Sequence, residues 1–225
     1  MKLAVIGTGK TGGEVVELLP EDQLSDAFDI DYQPTVEKLK KADAAIIFVP
    51  GAAVDDVFDT VLESGIPAVW GSTGYEWPSD LDSTLKEAGV KWLKASNFSL
   101  GMNIIRRAIK VISEGSEMLD NPEYLIHEIH HIHKKDAPSG TAISWKEWLG
   151  KDAEITSERK GDIKGIHELT VKTDSESIFL KHQAHDRAVF AKGAIWAAEQ
   201  IVKDEVGPGF YDFSTIFDQA IGNNR

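Results

Sequence analysis

Lys2-Leu3-Ala4-Val5-Ile6-Gly7-Thr8-Gly9-Lys10-Thr11-Gly12-Gly13 is an apolar run of strand length that turns directly into a glycine-rich stretch. A helical segment follows, with Val15, Val16, Leu18 and Leu19 as its apolar positions. The G-x-G-x-x-G spacing therefore stands between a strand and a helix, as a dinucleotide site requires. The glycines allow a tight turn and let a pyrophosphate approach the helix N-terminus. Gly7, Thr8, Gly9, Lys10, Thr11 and Gly12 are accordingly candidate cofactor contacts. About twenty residues on, where such folds place an acidic residue on the adenosine ribose, Phe28-Asp29-Ile30-Asp31-Tyr32 reads as the second strand. Asp31, near its C-terminal end, is the candidate; Asp29 competes with it, and a plain turn aspartate is the bland alternative.

The alternation continues. Ala44–Val49 reads as a buried strand, Val54–Leu62 as a helix, Ile66–Trp70 as a strand, Leu81–Ala88 as a helix and Lys91–Lys94 as a strand. A helix is expected over Met102–Ile112. This pattern predicts an α/β fold, a Rossmann-like doubly wound parallel sheet, whose strand-end loops line a cofactor crevice. Gly71, Ser72, Thr73 and Gly74, with Asn97, Phe98 and Ser99, are placed to meet a nicotinamide, although Gly-Ser-Thr-Gly is also an ordinary turn sequence. After residue 150 the pattern changes. Lys164–Val171, Ser177–His182 and Val189–Phe190 read as antiparallel strands, and Gly193–Val202 carries a helical period, so a second, smaller α+β domain is expected. In the tail, Phe213, Ile216, Phe217, Ala220 and Ile221 make an apolar helix face expected to pack back on the first domain.

The most unusual chemistry lies in Glu128–Ala142, E-I-H-H-I-H-K-K-D-A-P-S-G-T-A. It follows the strand-like Tyr124-Leu125-Ile126 and leads into a short helix from Ala142 to Leu149. Ser139, Gly140 and Thr141 fall where backbone N–H groups at a helix start lack internal partners and can hold a carboxylate. Lys134 adds a point charge, and histidine titrates near neutral pH. Along a regular strand His127, Ile129 and His131 share one face and Glu128, His130 and Ile132 the other. One of the His130–His131 pair is then a packed or solvent-facing side chain. A metal site built on His131 and His133 lacks a spaced third ligand, and none is expected.

Composition bounds the setting. The 225 residues suit one large domain or two small ones, no apolar run approaches a membrane span, and there is no cysteine. A cytoplasmic protein without a leader segment is expected. A net charge of −13 disfavours nucleic acid and anionic membrane as partners, so an anionic substrate must be held by local cations.

The Glu128–Ala142 stretch is similar to E-x-H-H-x-x-K-x-D-x-P-S-G-T-A, the signature of the 4-hydroxy-tetrahydrodipicolinate (dihydrodipicolinate) reductase family. Support comes also from the glycine loop, G-S-T-G at Gly71, N-F-S-x-G at Asn97, R-K-G-D-I-K-G-I-H at Arg159–His167, and H-x-x-x-x-R-x-x-F-A-x-G-A at His182–Ala194. The resemblance implies a dinucleotide-binding domain over 1–100 completed by 205–225, and a substrate-binding and oligomerisation domain over 101–204 in a homotetramer. It implies reduction of a cyclic imine dicarboxylate by NADH or NADPH in lysine and diaminopimelate biosynthesis. His130 corresponds to the proton donor, Lys134 to the cation at the ring nitrogen, His131 to a substrate contact, and Ser139, Gly140 and Thr141 to the carboxylate grip. Two departures bear on the cofactor: Ile47-Phe48-Val49 replaces Asp-Phe-Ser at the end of the third strand, and Lys10-Thr11 replaces Arg-Met. Asp31 disfavours a 2′-phosphate while Lys10 partly compensates, which leans the expectation to NADH. A related imine or amino-acid dehydrogenase, or an inactive nucleotide-sensing homologue, is the alternative.

Overall fold

The computed structural model describes residues 1–222. The chain forms two compact units, Met1–Ser99 with the chain from Arg187 on, and Leu100–Asp186. In the first, β1 (Leu3–Ile6), α1 (Lys10–Leu18), β2 (Leu24–Phe28), α2 (Val36–Leu39), β3 (Ala44–Ile47), α3 (Asp55–Ser64), β4 (Ala68–Trp70), α4 (Leu81–Ala88) and β5 (Lys91–Lys94) alternate along the chain. The second contains α5 (Leu100–Gly115), β6 (Glu123–His130), α6 (Gly140–Leu149), β7 (Glu154–Arg159), β8 (Ile166–Lys172) and β9 (Ser177–Gln183). α7 (Ala188–Ile201), β10 (Gly209–Asp212) and α8 (Phe213–Gly222) then return to the first unit.

The first sheet is parallel throughout, in the order β10-β5-β4-β3-β1-β2. All four residues of β1 and of β3 are buried, because helices cover both faces of such a sheet and leave no polar side for the strand to show. Trp70 and Trp92, fully buried and 5.1 Å apart between ring centroids, fill the centre of one layer. The chain leaves β1 for β2 on one side and then crosses to β3 on the other. The strand order thus reverses at β1, and a crevice opens at the carboxyl ends there. In the second unit, β6 lies between parallel β7 and antiparallel β8, with β9 at the far edge. The apolar faces of α5 and α6 close over that sheet through Ile109, Trp145 and Leu149 against Ile126 and Leu169.

Four details differ from the sequence-based expectation. β2 ends at Phe28, so Asp29 to Tyr32 form a turn in which Asp29 Oδ1 accepts the N–H groups of Asp31 and Tyr32, both at 2.9 Å. Val189–Phe190 is the first turn of α7 and not a strand. β7 and β10 are additional strands. The second unit ends at Asp186, whereas the sequence reading carried it to residue 204. α7 crosses back because its small residues, Ala191, Gly193, Ala194, Ala197 and Ala198, all buried, let it lie close on the first sheet and α1.

That close approach is tightest at Gly193, where an added Cβ would stand 1.7 Å from the Phe98 carbonyl oxygen. Backbone cannot yield as a flexible side chain can. Gly193→Ala is predicted to cost about 3 kcal/mol, the upper end of ordinary overpacking, which lowers the thermal midpoint by about 6–12 °C in a chain of this size. Circular dichroism melting checks this, and an unchanged midpoint would contradict the packing of α7 described here.

Candidate active site

Two sites emerge, one in each unit. In the first unit a cavity of about 710 Å³ lies at the carboxyl ends of the strands around the reversal point, within the usual range for small-molecule and cofactor sites. Gly7, Thr8, Gly9, Lys10 and Thr11 line one wall, and Gly71 and Thr73 another. Phe48 and Val49 supply an apolar side. Gly7 has φ of 89°, and a Cβ on Gly12 would lie 1.8 Å from the Gly7 carbonyl oxygen, so the loop curls tightly onto the start of α1. No side chain caps α1 and its first turn holds no acidic residue. Its terminal N–H groups and the positive end of its dipole are therefore suited to a phosphate group. A pyrophosphate-bearing dinucleotide fits these donors.

The remaining cofactor candidates separate. Asp29 lines the cavity and Asp31 does not, a correction that follows from the earlier end of β2. Phe98 is buried, packing against Phe48 and Phe213 at 5.8 and 5.1 Å, so its side chain belongs to the core. Asn97 Oδ1 accepts the Ser99 N–H at 2.9 Å, which shapes that loop. Ser72 is buried with its hydroxyl unpartnered by the protein, while Gly74, at φ 75°, is exposed beyond the cavity wall.

In the second unit the polar residues enter through β6. Ile126, Glu128 and His130 alternate onto its buried face, so the strand places a carboxylate and an imidazole where its upstream neighbour is core. Glu128 is 0% exposed. Its Oε1 accepts the Ser139 N–H at 3.0 Å, the Ser157 hydroxyl at 2.8 Å and the Arg159 guanidinium at 3.2 Å. Its Oε2 accepts the Ser139 hydroxyl, and His130 Nδ1 and His167 Nε2 stand 3.5 and 3.6 Å from it. The parallel register pairs His130 with Arg159, and the antiparallel one pairs Glu128 with His167, which explains why residues so far apart in sequence meet.

Burial alone would raise the Glu128 carboxyl, but hydrogen bonds from Ser139, Ser157 and Arg159 outweigh it and hold the pKa below the ordinary value. Burial lowers His130, partly offset by Glu128. Burial and the neighbouring His130 push His167 down to about 4. The Glu128, His130 and His167 donor atoms lie close enough to suit a cation. Glu128, however, already carries Arg159 and two serines, so its oxygens are engaged in hydrogen bonds.

Ser139 caps α6, its hydroxyl accepting the Ala142 N–H at 3.2 Å. With its own N–H and O–H both given to Glu128, Ser139 has no donor left for a substrate, a correction to its reading as a direct carboxylate ligand. Gly140 and Thr141 keep that capacity, since their N–H groups have no carbonyl within α6 to reach. The strand stops at His130, so Lys134 is placed by the following loop, where its Nζ contacts both Asp136 oxygens at 2.8 Å. His131 is half-buried and His133 exposed, their ring centroids 6.2 Å apart. The sequence reading missed Glu128, Ser157 and Arg159 as parts of this site. The family-like stretches beginning at Glu128 and Arg159 and the 128/130 alternation were the signals in the sequence, and none of them says that these residues meet.

Comparison with known proteins shows the family of the chain. Residues 101–217 match the family model described as dihydrodipicolinate reductase, C-terminus. Proteins named 4-hydroxy-tetrahydrodipicolinate reductase are similar over nearly all of their length: one from Haloarcula marismortui is 31% identical over 96% of this chain and 99% of its own. Another, from Bdellovibrio bacteriovorus, is 33% identical over 96% of each. The fold is shared with a dipicolinate-bound dihydrodipicolinate reductase from Paenisporosarcina sp. TG-14, at a TM-score of 0.73 and 17% identity over 96% of this chain and 99% of that one. It is shared more distantly with an amine dehydrogenase from Mycobacterium smegmatis, at 0.63 and 12% over 95% of each chain. With a family match over half its residues and relatives above 30% identity along almost its whole length, the chain belongs to the 4-hydroxy-tetrahydrodipicolinate reductase family.

Proposed function

We propose that this chain reduces the cyclic imine dicarboxylate of the diaminopimelate route to tetrahydrodipicolinate, with a nicotinamide dinucleotide as hydride source. The observation that carries the reading is that one short segment supplies a buried imidazole at His130, a cation at Lys134 and a helix N-terminus at Gly140–Thr141. A small dianion that must be held and protonated suits that set. The first unit takes the dinucleotide role, with Gly7–Thr11 and the α1 N-terminus on the pyrophosphate and Gly71 and Thr73 on the cavity wall. The second holds the substrate and, as in the family expectation, the contacts of a homotetramer in the cytoplasm. Among the described residues no helix is long and apolar enough to cross a membrane.

When bound, the cofactor supplies a hydride, two electrons and one hydrogen, to a ring carbon. The protein's task is then to stabilise and quench the electron-rich enamine that results. Lys134 holds positive charge at the ring nitrogen side, leaving Asp136 to do so. Gly140 and Thr141 fix one carboxylate, His131 contacts the ring, and His130 gives a proton to the enamine carbon, completing the net addition of H₂. His130 must carry that proton first. Burial lowers its pKa in the free protein, and a dianion beside it acts the opposite way, so substrate binding takes up a proton.

An assay with freshly generated substrate, following NADH loss, tests the activity. Oxidation or reduction of an acyclic amino acid or amine with an inert cyclic imine would refute it. Pyridine-2,6-dicarboxylate is predicted to compete with substrate and to bind more tightly at pH 6 than at pH 8, a dependence that flattens in His130→Gln; calorimetry at both pH values measures it. In steady-state kinetics His130→Gln should lower kcat about 10²- to 10⁴-fold. Lys134→Ala should lower kcat and also raise KM, and His133→Gln, altering an exposed ring, should change little. An active His130 variant beside a crippled His133 variant would reverse these roles.

For the cofactor, we assign the ribose contact to Asp29, which reaches the cavity, in place of Asp31. Its charge opposes a 2′-phosphate while Lys10 partly compensates, so NADH is preferred and NADPH accepted. Asp29→Ala is expected to weaken NADH more than NADPH, and Asp31→Ala to alter both little. Fluorescence titration of each cofactor into each variant decides between the two aspartates.

A further inference from the structure

We propose that Glu128 is a positioning residue that locks the proton donor and the substrate grip into one geometry. The inference rests on the roles proposed above for His130, Lys134 and the start of α6. Three separate parts of the site converge on this one carboxylate. His130 Nδ1 is buried with no partner of its own, and Glu128 Oε2, at 3.5 Å, is the acceptor facing it. Ser139 gives Glu128 both its N–H and its hydroxyl, so the carboxylate fixes the residue that caps α6 and aims the N–H groups of Gly140 and Thr141. Arg159, paired with Glu128 at 3.2 Å, also donates to the carbonyl oxygens of Lys134, at 3.3 Å, and Asp136. The backbone of the Lys134 loop is thus pinned to the same ion pair.

The arrangement assigns the two nitrogens of His130 different tasks. Nδ1–H is directed at the Glu128 carboxylate 3.5 Å away, which leaves Nε2 to carry the proton that is transferred. Nε2 faces the loop after β7, where a Cβ on Gly165 would stand 3.3 Å away. After transfer the ring stays in the tautomer Glu128 selects, ready to be recharged at Nε2. His167 completes the wall. With its pKa near 4 it stays neutral at working pH, so it adds no second positive charge beside His130, and its Nε2 lies 3.3 Å from the Ser139 hydroxyl oxygen. The charged and titratable groups facing His130 are Glu128 on its own strand, Arg159 on β7, His167 on β8, and Lys134 and Asp136 on the following loop. Glu128 raises the His130 pKa, whereas Lys134 and Arg159 lower it.

The test compares wild type with Glu128→Gln, which keeps the shape and removes the charge. Expected are an unchanged NADH affinity and a kcat lowered about 10- to 100-fold, the size of a misplaced reacting group, with a smaller change in KM. Because the carboxylate raises the His130 pKa, the alkaline fall in kcat should begin at lower pH in the variant. Long-range ¹H–¹⁵N correlation on the wild-type protein should show neutral His130 protonated at Nδ1. A folded variant with wild-type kcat and pH profile, or one with only KM or thermal midpoint changed, overturns the proposal. If the variant does not fold, the wild-type tautomer decides: Nε2–H with Nδ1 bare overturns it, and Nδ1–H supports it. Absence of turnover and of pyridine-2,6-dicarboxylate binding in wild type would instead sink the proposed function, while the His130 tautomer would still report on Glu128.

Discussion

Parallel pairing sets the carboxyl ends of neighbouring strands side by side, and both units put their polar residues at such ends. In the first sheet β1, β3 and β4 are buried on both faces, so side chains along these central strands can only be core. Polar groups that must meet a ligand are confined to where the strands stop, at Gly7, Asp29 and Gly71. In the second unit the single parallel pair, β6 with β7, has the same effect and brings His130 level with Arg159. Parallel register, more than the identity of any one loop, decides which residues become neighbours.

Electrostatics then works locally. The chain is strongly acidic, with a net charge of −13, yet the proposed substrate is an anion. Screening over roughly 8 to 10 Å removes most of the distant repulsion at physiological salt. Two cations beside His130 in the second unit are paired: Lys134 with Asp136 and Arg159 with Glu128. The two pairs differ in character. Lys134 is held by an exposed carboxylate, an exchangeable partner, whereas Arg159 is held by one with no solvent contact. One cation can change partners as a ligand arrives and the other is a fixed part of the framework.

Much of this was legible in the sequence because it is local. The glycine turn follows a strictly apolar run, and α4 and β5 sit at the predicted residues, since each is a short self-contained pattern. What escaped depends on distant partners. Glu-Ile-Thr-Ser-Glu-Arg of β7 is mostly exposed and has no apolar stripe to reveal a strand; its pairing with β6 defines it. β10 is hidden by the Gly-Pro-Gly at 207–209 that runs into it and is a strand because β5 offers an edge. Ser139 looked like a ligand because a helix-start serine usually faces outward, and only the tertiary position of Glu128, 11 residues earlier, turns it inward. Asp29 stands on the cavity wall and Asp31 outside it because the strand begins at Leu24, in a stretch too polar to announce itself.

The pairing of β10 with β5 has a bearing on how the molecule is made. During synthesis from the N-terminus, β5 emerges long before its outer neighbour, and the whole of the second unit is translated in between. Until Gly209–Asp212 has been made, the first sheet stands with Lys91–Lys94 as an open edge able to recruit a foreign strand. Helix α7, which covers the same sheet, is equally late. The second unit is continuous in sequence, so all four strands of its sheet are made before β10. A chain cut before Gly209 would therefore leave the β5 edge of the first sheet without its partner strand.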